Sequence, residues 1–263
     1  MSLPTTGLHE GVSERLYHSD PNSLSSTGAK TLLWDGPRAF KWKREHPIHR
    51  DAFDLGSVAH ALILGVGDYV VLDYPDWRTK AAQAERDRVR AEGGTPILRK
   101  DVALAEDMRD SVHASPLAAA ILSEGRPEVS MWAEDPETGV LMRGRADWLR
   151  DNALVDLKTA AGAVDPREWA WTVHKLHYAF QLAWYQRILQ ANGITVPSLW
   201  IAVSKAAPHE VYVHEPDDDM MRTAHDDVDR ALRLYADCQA TDTWPGLQDD
   251  QQIHLITDPR SNR

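Results

Sequence analysis

The sequence predicts an α/β fold, with a mixed central β-sheet flanked by helices and a helical N-terminal extension. Two observations predict it. Residues 1–125 carry mainly helical signals, whereas in residues 126–240 strand and helix patterns alternate. Within that second part the order is three strands, a helix, two strands and a helix. A single domain over 1–263 is expected, with an irregular tail at 241–263.

Each element has its own signal. Residues 1–22 read as an irregular lead-in. Ser25-Ser26-Thr27 supplies a cap for a helix over about 27–45, whose apolar positions are Leu32, Leu33, Phe40 and Trp42. Pro37 kinks or divides that helix, and its polar side carries Lys30, Arg38, Lys41, Lys43 and Arg44. Asp54 to Leu64 is a second helix, small and apolar, with His60 inside it. Residues 73–99, rich in charge, predict a helix ending at Gly93-Gly94, and residues 100–123 predict one or two helices broken near Ser115-Pro116.

Then the period changes from helical to alternating. Val129 to Glu134 and Val140 to Arg150 predict two strands joined by the turn Asp135-Pro-Glu-Thr-Gly139. Ala153 to Lys158 is a third, short strand, and 166–192 a long helix bearing Trp169, Phe180, Trp184 and Leu189. Ser198 to Lys205 and Glu210 to His214 form a second hairpin around Ala206-Ala207-Pro208, and 217–240 is a closing amphipathic helix.

Composition limits the chemistry. Cys238 is the single cysteine, so an intrachain disulfide and a cysteine-ligated zinc or iron–sulfur site within one chain are excluded. No run of about 18 apolar residues predicts a membrane span. The N-terminus lacks a basic-then-apolar targeting segment, and a cytoplasmic location is expected. The net charge of −11 is unevenly spread. Residues 1–100 hold 14 Lys/Arg against 13 Asp/Glu, and residues 101–263 hold 15 against 27. Such a chain can bind nucleic acid through a local basic groove, not through bulk attraction.

The most informative stretch is Asp147 to Lys158. Side chains alternate along a strand, so Asp156 and Lys158 share a face, and a neighbouring strand can bring Asp147 to the same edge. Two carboxylates and a lysine there can hold a hard divalent cation, and the lysine can serve an attacking water or offset phosphate charge. His60 offers the imidazole that a carboxylate site often adds. Tyr178, Gln181 and Tyr185 are spaced to share one helix face. Taken singly, each also reads as a surface acid, a core histidine or a packed aromatic.

In order, His60, Asp147, Asp156-Leu157-Lys158 and Gln181-Leu-Ala-Trp-Tyr185 resemble the PD-(D/E)XK nuclease superfamily, more narrowly the RecB-type and RecE-type (exonuclease VIII-like) phage and prophage exonucleases. Tyr17-His-Ser-Asp-Pro21, Gly56-Ser-Val-Ala-His60, Glu128-Val-Ser-Met-Trp132 and Arg143-Gly-Arg-Ala-Asp147 extend the likeness over roughly residues 15–240. Ala146 stands where the family name has proline. The resemblance implies a restriction-endonuclease-like core and assigns Mg²⁺, with Mn²⁺ substituting, to His60, Asp147, Asp156 and the Leu157 carbonyl, with Glu128 as a further acid. It gives Lys158 to the attacking water and Gln181 and Tyr185 to site support or DNA contact. It also implies 5′-to-3′ processive degradation of linear duplex DNA, a ring-shaped homo-oligomer and a single-strand annealing partner in a bacterial or phage setting. Arg38, Lys41, Lys43, Arg44, Arg86, Arg88 and Arg90 are the candidates for its DNA path. The rival expectations are an endonuclease of the same fold and a catalytically inactive DNA-end-binding module.

Overall fold

The structure is a computed structural model, and it describes residues 5–46, 52–67 and 69–247. The N-terminal lead-in is more ordered than the sequence predicts. It contains β1 (Gly7–His9), α1 (Glu14–His18) and β2 (Leu24–Ser25). Both strands are short and find their partners more than 100 residues away, on strands of the central sheet. Local pattern has no access to such pairings.

The helix expected over 27–45 is three pieces: α2 (Ser26–Lys30), a π-helical turn (Thr31–Asp35) and α3 (Pro37–Glu45). Gly36 at φ 93° cannot continue a helix, and Pro37 restarts one at its first position. α4 (Ala52–Leu64) follows as expected. The charged region is not helix alone: β3 (Tyr69–Leu72), α5 (Lys80–Ala91) and β4 (Thr95–Leu98) form a small crossover unit in which β3 and β4 pair in parallel. α6 (Arg99–Ala114) and α7 (Pro116–Leu122) divide at Ser115, because Pro116 opens the second helix.

The core strands are β5 (Arg126–Glu134), β6 (Leu141–Leu149) and β7 (Leu154–Ala160). The single long helix expected next is two, α8 (Pro166–Leu176) and α9 (Tyr178–Ala191). His177 between them adopts the left-handed conformation (φ 52°) and stacks on Trp34 at 3.6 Å. β8 (Ser198–Ser204), β9 (Val211–His214) and α10 (Asp218–Thr241) are the last elements among the described residues.

The sheet runs β1-β5-β6-β7-β8-β9, with β2 also on β6. It is mixed, since β7/β8 and β2/β6 are parallel and the other pairs antiparallel. Alternation divides its residues between two cores. Leu154, Trp200 and Ala202 pack against α2, α3, α9 and α10, whereas Val155, Leu157, Ile201 and Val203 pack against α4 and α6. Helices thus cover both faces of a sheet whose middle strands carry the acidic segment.

One irregularity in pairing positions the site. β6 pairs with β5 on both sides of Asp147, yet it meets β7 only at Trp148↔Val155 and Leu149↔Leu154. The next step of that register would set Asp147 opposite Asp156, and there the ladder opens. β7 goes on along β8, while β2 takes the same side of β6 farther up, at Met142 and Arg143. The strands fork at the two aspartates.

Candidate metal centre and active site

At the fork a side chain replaces the missing ladder bond. Asp147 Oδ2 accepts from the Leu157 backbone N–H at 2.7 Å. This fixes Asp147 to β7 and sets its carboxylate beside that of Asp156, within hydrogen-bonding reach. α4 packs on the opposite face of the fork and delivers His60, with Nδ1 3.7 Å from Asp147 Oδ2. The Leu157 carbonyl lies within hydrogen-bonding reach of the imidazole. Across from Asp147 on β5 stands Glu128, in the left-handed conformation at φ 51°. A glutamate pays for that backbone only where its surroundings hold it, and Arg145 does so, 3.5 Å from Glu128 Oε2 and 2.8 Å from Glu14 Oε2.

Three groups could then share one ion: His60, Glu128 and Asp147 offer ligand atoms that all lie within 4.8 Å of one another. Asp156 lies outside this triad and adjoins it through Asp147. Its Oδ1 accepts from Gln181 Nε2 at 3.2 Å, and Oδ2 meets Lys158 Nζ at 2.6 Å as an ion pair without hydrogen-bond geometry. Two hard carboxylates, a neutral imidazole and a nearby carbonyl are a donor set that fits Mg²⁺ or Mn²⁺.

The electrostatics agree with that fit. Burial pushes Asp147 and Asp156 above the usual carboxylate range, against the pull of Lys158. Burial, reinforced by Asp147, raises Glu128 to about 7. Burial and the Lys158 charge depress His60 to about 4, so its imidazole is neutral and ready to ligate. Burial alone would lower Lys158, but the Asp156 and Asp147 carboxylates outweigh it and hold the ammonium protonated. Carboxylates kept costly in this way gain the most when a cation arrives.

α9 supports the site from behind. Tyr178, Gln181 and Tyr185 share its inner face as the spacing predicts. Gln181 Nε2 also donates to Tyr185 Oη at 3.0 Å, and the buried Tyr185 ring lies against Gly144 on β6. Lys158 Nζ sits 5.1 Å from the Tyr178 ring centre.

A cleft of about 1640 Å³ opens over the triad, with Glu128, Asp147 and His60 on its floor and Ser26, Thr27 and Arg44 on its walls. Of the basic candidates for a DNA path, Lys43 and Arg44 line this cleft. Lys41 pairs with Asp242, and on α5 Arg88 is held by Glu85 and Glu92. Two features were missed in the sequence. One is Arg145 as the clamp on Glu128. The other is Lys30 of α2, which approaches Lys158 and Tyr178. Arg145 lies within the Arg143–Asp147 motif, but its pairing with Glu128 across the β5–β6 hairpin is not legible there, and Lys30 acts across distant chain segments.

A family model matches residues 38–252, most of the chain, and its description is a PDDEXK-like domain of unknown function (DUF3799). The chain belongs to this PDDEXK-like family. The DUF3799 domain carries the fork, the triad and Lys158 within the matched span. Its fold is similar to that of a candidate exonuclease from Eubacterium rectale, at 16% identity and a TM-score of 0.64, covering 97% of this chain and 98% of that one. An alkaline exonuclease from Laribacter hongkongensis is 13% identical over 73% of this chain and 96% of its own, and its TM-score of 0.28 is too low to bear on this domain. No curated protein matches the chain. Among the described residues no helix is long and apolar enough to cross a membrane.

Proposed function

We propose that this PDDEXK-like domain is a metal-dependent deoxyribonuclease, and specifically an exonuclease that degrades linear duplex DNA from its ends with Mg²⁺. The observation that carries this reading is the fork, where His60, Glu128 and Asp147 converge beside the Asp156–Lys158 pair on the floor of an open cleft. The name of the Eubacterium rectale protein supports the exonuclease form of the reading.

The residues divide the work. Asp147, Glu128 and His60 would hold the cation, with Asp156 beside Asp147 and paired to Lys158. A divalent cation there supplies charge neutralisation for the phosphate and acidifies the attacking water. Lys158, held protonated, orients that water and offsets charge as the phosphorus becomes five-coordinate. Gln181 fixes the Asp156 rotamer, and Tyr185 fixes Gln181.

We extend the proposal to 5′-to-3′ processive action that leaves a 3′ single strand, to a ring of like subunits around the duplex, and to a single-strand annealing partner. The test is release of nucleotides from linear duplex with Mg²⁺ and with Mn²⁺, using closed-circular DNA as control. Strands labelled at the 5′ or the 3′ end give the direction. Nicking of the closed circle would replace the exonuclease with an endonuclease. Binding to ends without cleavage under either metal would leave a DNA-end-binding module. Light scattering of the purified protein tests the ring.

A further inference from the structure

Two lysines approach Tyr178 from different parts of the chain. Lys158 Nζ lies 5.1 Å from the ring centre, and Lys30 Nζ, at the end of α2, lies 6.0 Å from it. Both side chains are half-buried. Lys158 has the Asp156 carboxylate at 2.6 Å, whereas Lys30 makes no ion pair or hydrogen bond among the described residues. Burial and the like charge of Lys158 lower it to about 8, against the opposing pull of the already paired Asp156. An ammonium still largely charged at neutral pH is thus partly withdrawn from water with no ion pair of its own, which costs stability.

Its position is set firmly. Ser25 Oγ caps α2 by accepting from the Gly28 N–H at 3.1 Å, and β2 just before it pairs with β6. Arg143 of β6 donates to the Asp20 and Ser23 carbonyls at 2.8 and 3.0 Å, tying the segment before α2 to the strand that carries Asp147. Lys30 is therefore built into the same frame as the metal triad.

Charge counting says what the site lacks. The carboxylates of Glu128, Asp147 and Asp156 balance Lys158 together with one divalent cation, and His60 is neutral. A phosphodiester entering that neutral site brings one negative charge with no partner. We propose that Lys30 is a substrate-contacting residue that grips a non-bridging oxygen of an internal phosphodiester beside the Asp156–Lys158 pair. The inference rests on the nuclease reading above and deepens it.

The test compares Lys30→Met and Lys30→Arg in the full chain. The probe is a short fluorescent duplex with Ca²⁺ in place of Mg²⁺, read by anisotropy over a range of KCl. Lys30→Met is expected to bind about tenfold more weakly, as loss of one charge-assisted hydrogen bond requires. The slope of log affinity against log salt falls by about one. Lys30→Arg keeps the slope. Lys30→Met keeps the wild-type Mn²⁺ affinity and is at least as heat-stable, because it removes an uncompensated charge. Equal losses on 5′-hydroxyl and 5′-phosphorylated ends are expected, and a loss confined to phosphorylated ends overturns the internal placement. Wild-type binding and slope in Lys30→Met overturn the proposal outright, as does a matching loss of Mn²⁺ affinity. If the wild type binds DNA through Lys30 but never cleaves it, the nuclease reading fails while the phosphate contact stands.

Discussion

Gly144 is the position where a single methyl group tests the support of the site. A Cβ there would stand 2.7 and 2.8 Å from Cδ1 and Cε1 of Tyr185 and 3.1 Å from Cδ1 of Ile188. Carbon atoms pack at about 3.5–4.0 Å, so the ring must retreat by roughly 1 Å. Tyr185 is buried, and its hydroxyl accepts from Gln181, whose same amide nitrogen holds Asp156. Gly144→Ala therefore overpacks the β6–α9 contact, at a cost of about 1–3 kcal/mol. It also displaces the chain of bonds that ends on Asp156. A misplacement of this size can cost up to about a hundredfold in rate. Urea denaturation reads the first effect as a lower midpoint at unchanged slope, and nucleotide release from linear duplex reads the second. Adding Tyr185→Leu opens space, so the double variant should cost less stability than the two single changes summed. A Gly144→Ala protein with the wild-type midpoint and the wild-type rate would refute the packing argument.

Other expected outcomes follow from the same geometry. Asp147→Asn keeps an oxygen for the Leu157 N–H, so its melting temperature should stay near wild type while Mn²⁺ affinity, measured by titration calorimetry, falls at least about tenfold. Lys158→Met leaves the fully buried Asp156 carboxylate without its ion pair and should destabilise the fold by about 3 kcal/mol in urea, whereas Lys158→Met with Asp156→Asn recovers most of that loss and stays inactive. Glu128, raised to about 7 without metal, must lose its proton to ligate. Metal affinity is thus full above pH 7 and declines as pH falls through it, with release of up to about one proton per ion. His60, at about 4, stays neutral and adds none to this count. Calorimetry at pH 6 in buffers of different ionisation heat gives the proton number, and a value of zero would contradict the assignment of Glu128.

The sequence shows elements whose stabilising contacts are local and hides those whose contacts are not. The turn at Asp135–Gly139 is legible because its Asp135 side chain accepts from the Thr138 N–H within a few residues. The face shared by Tyr178, Gln181 and Tyr185 is legible because helical spacing sets it, even though the helix starts later than expected. β1 and β2 are illegible because their partners Trp132 and Met142 are remote. The break at His177 is illegible because the stacked Trp34 that accompanies it lies far back in the chain. The same division runs through the site. Asp147, Asp156 and Lys158 stand out because they fall on adjacent strand ends. Glu128 belongs with them through a backbone conformation that no residue pattern announces, and Lys30 through the anchoring of α2 on β6.

The fork explains why an acidic site can sit in the middle of a sheet at all. A continuous β6–β7 ladder would bury its backbone groups in pairs and press the side chains of residues 147 and 156 together on one surface. Two carboxylates so placed would repel, and a cation could reach them only from that surface. Ending the ladder at Trp148↔Val155 frees the Leu157 N–H, which Asp147 then satisfies, and exposes the Leu157 carbonyl to His60. Asp147 can thereby turn toward α4 while Asp156 stays toward α9, where Lys158 and Gln181 hold it. Each carboxylate thus has its own partners. A divalent cation held by His60, Glu128 and Asp147 would relieve the raised Glu128 and Asp147 carboxylates at once.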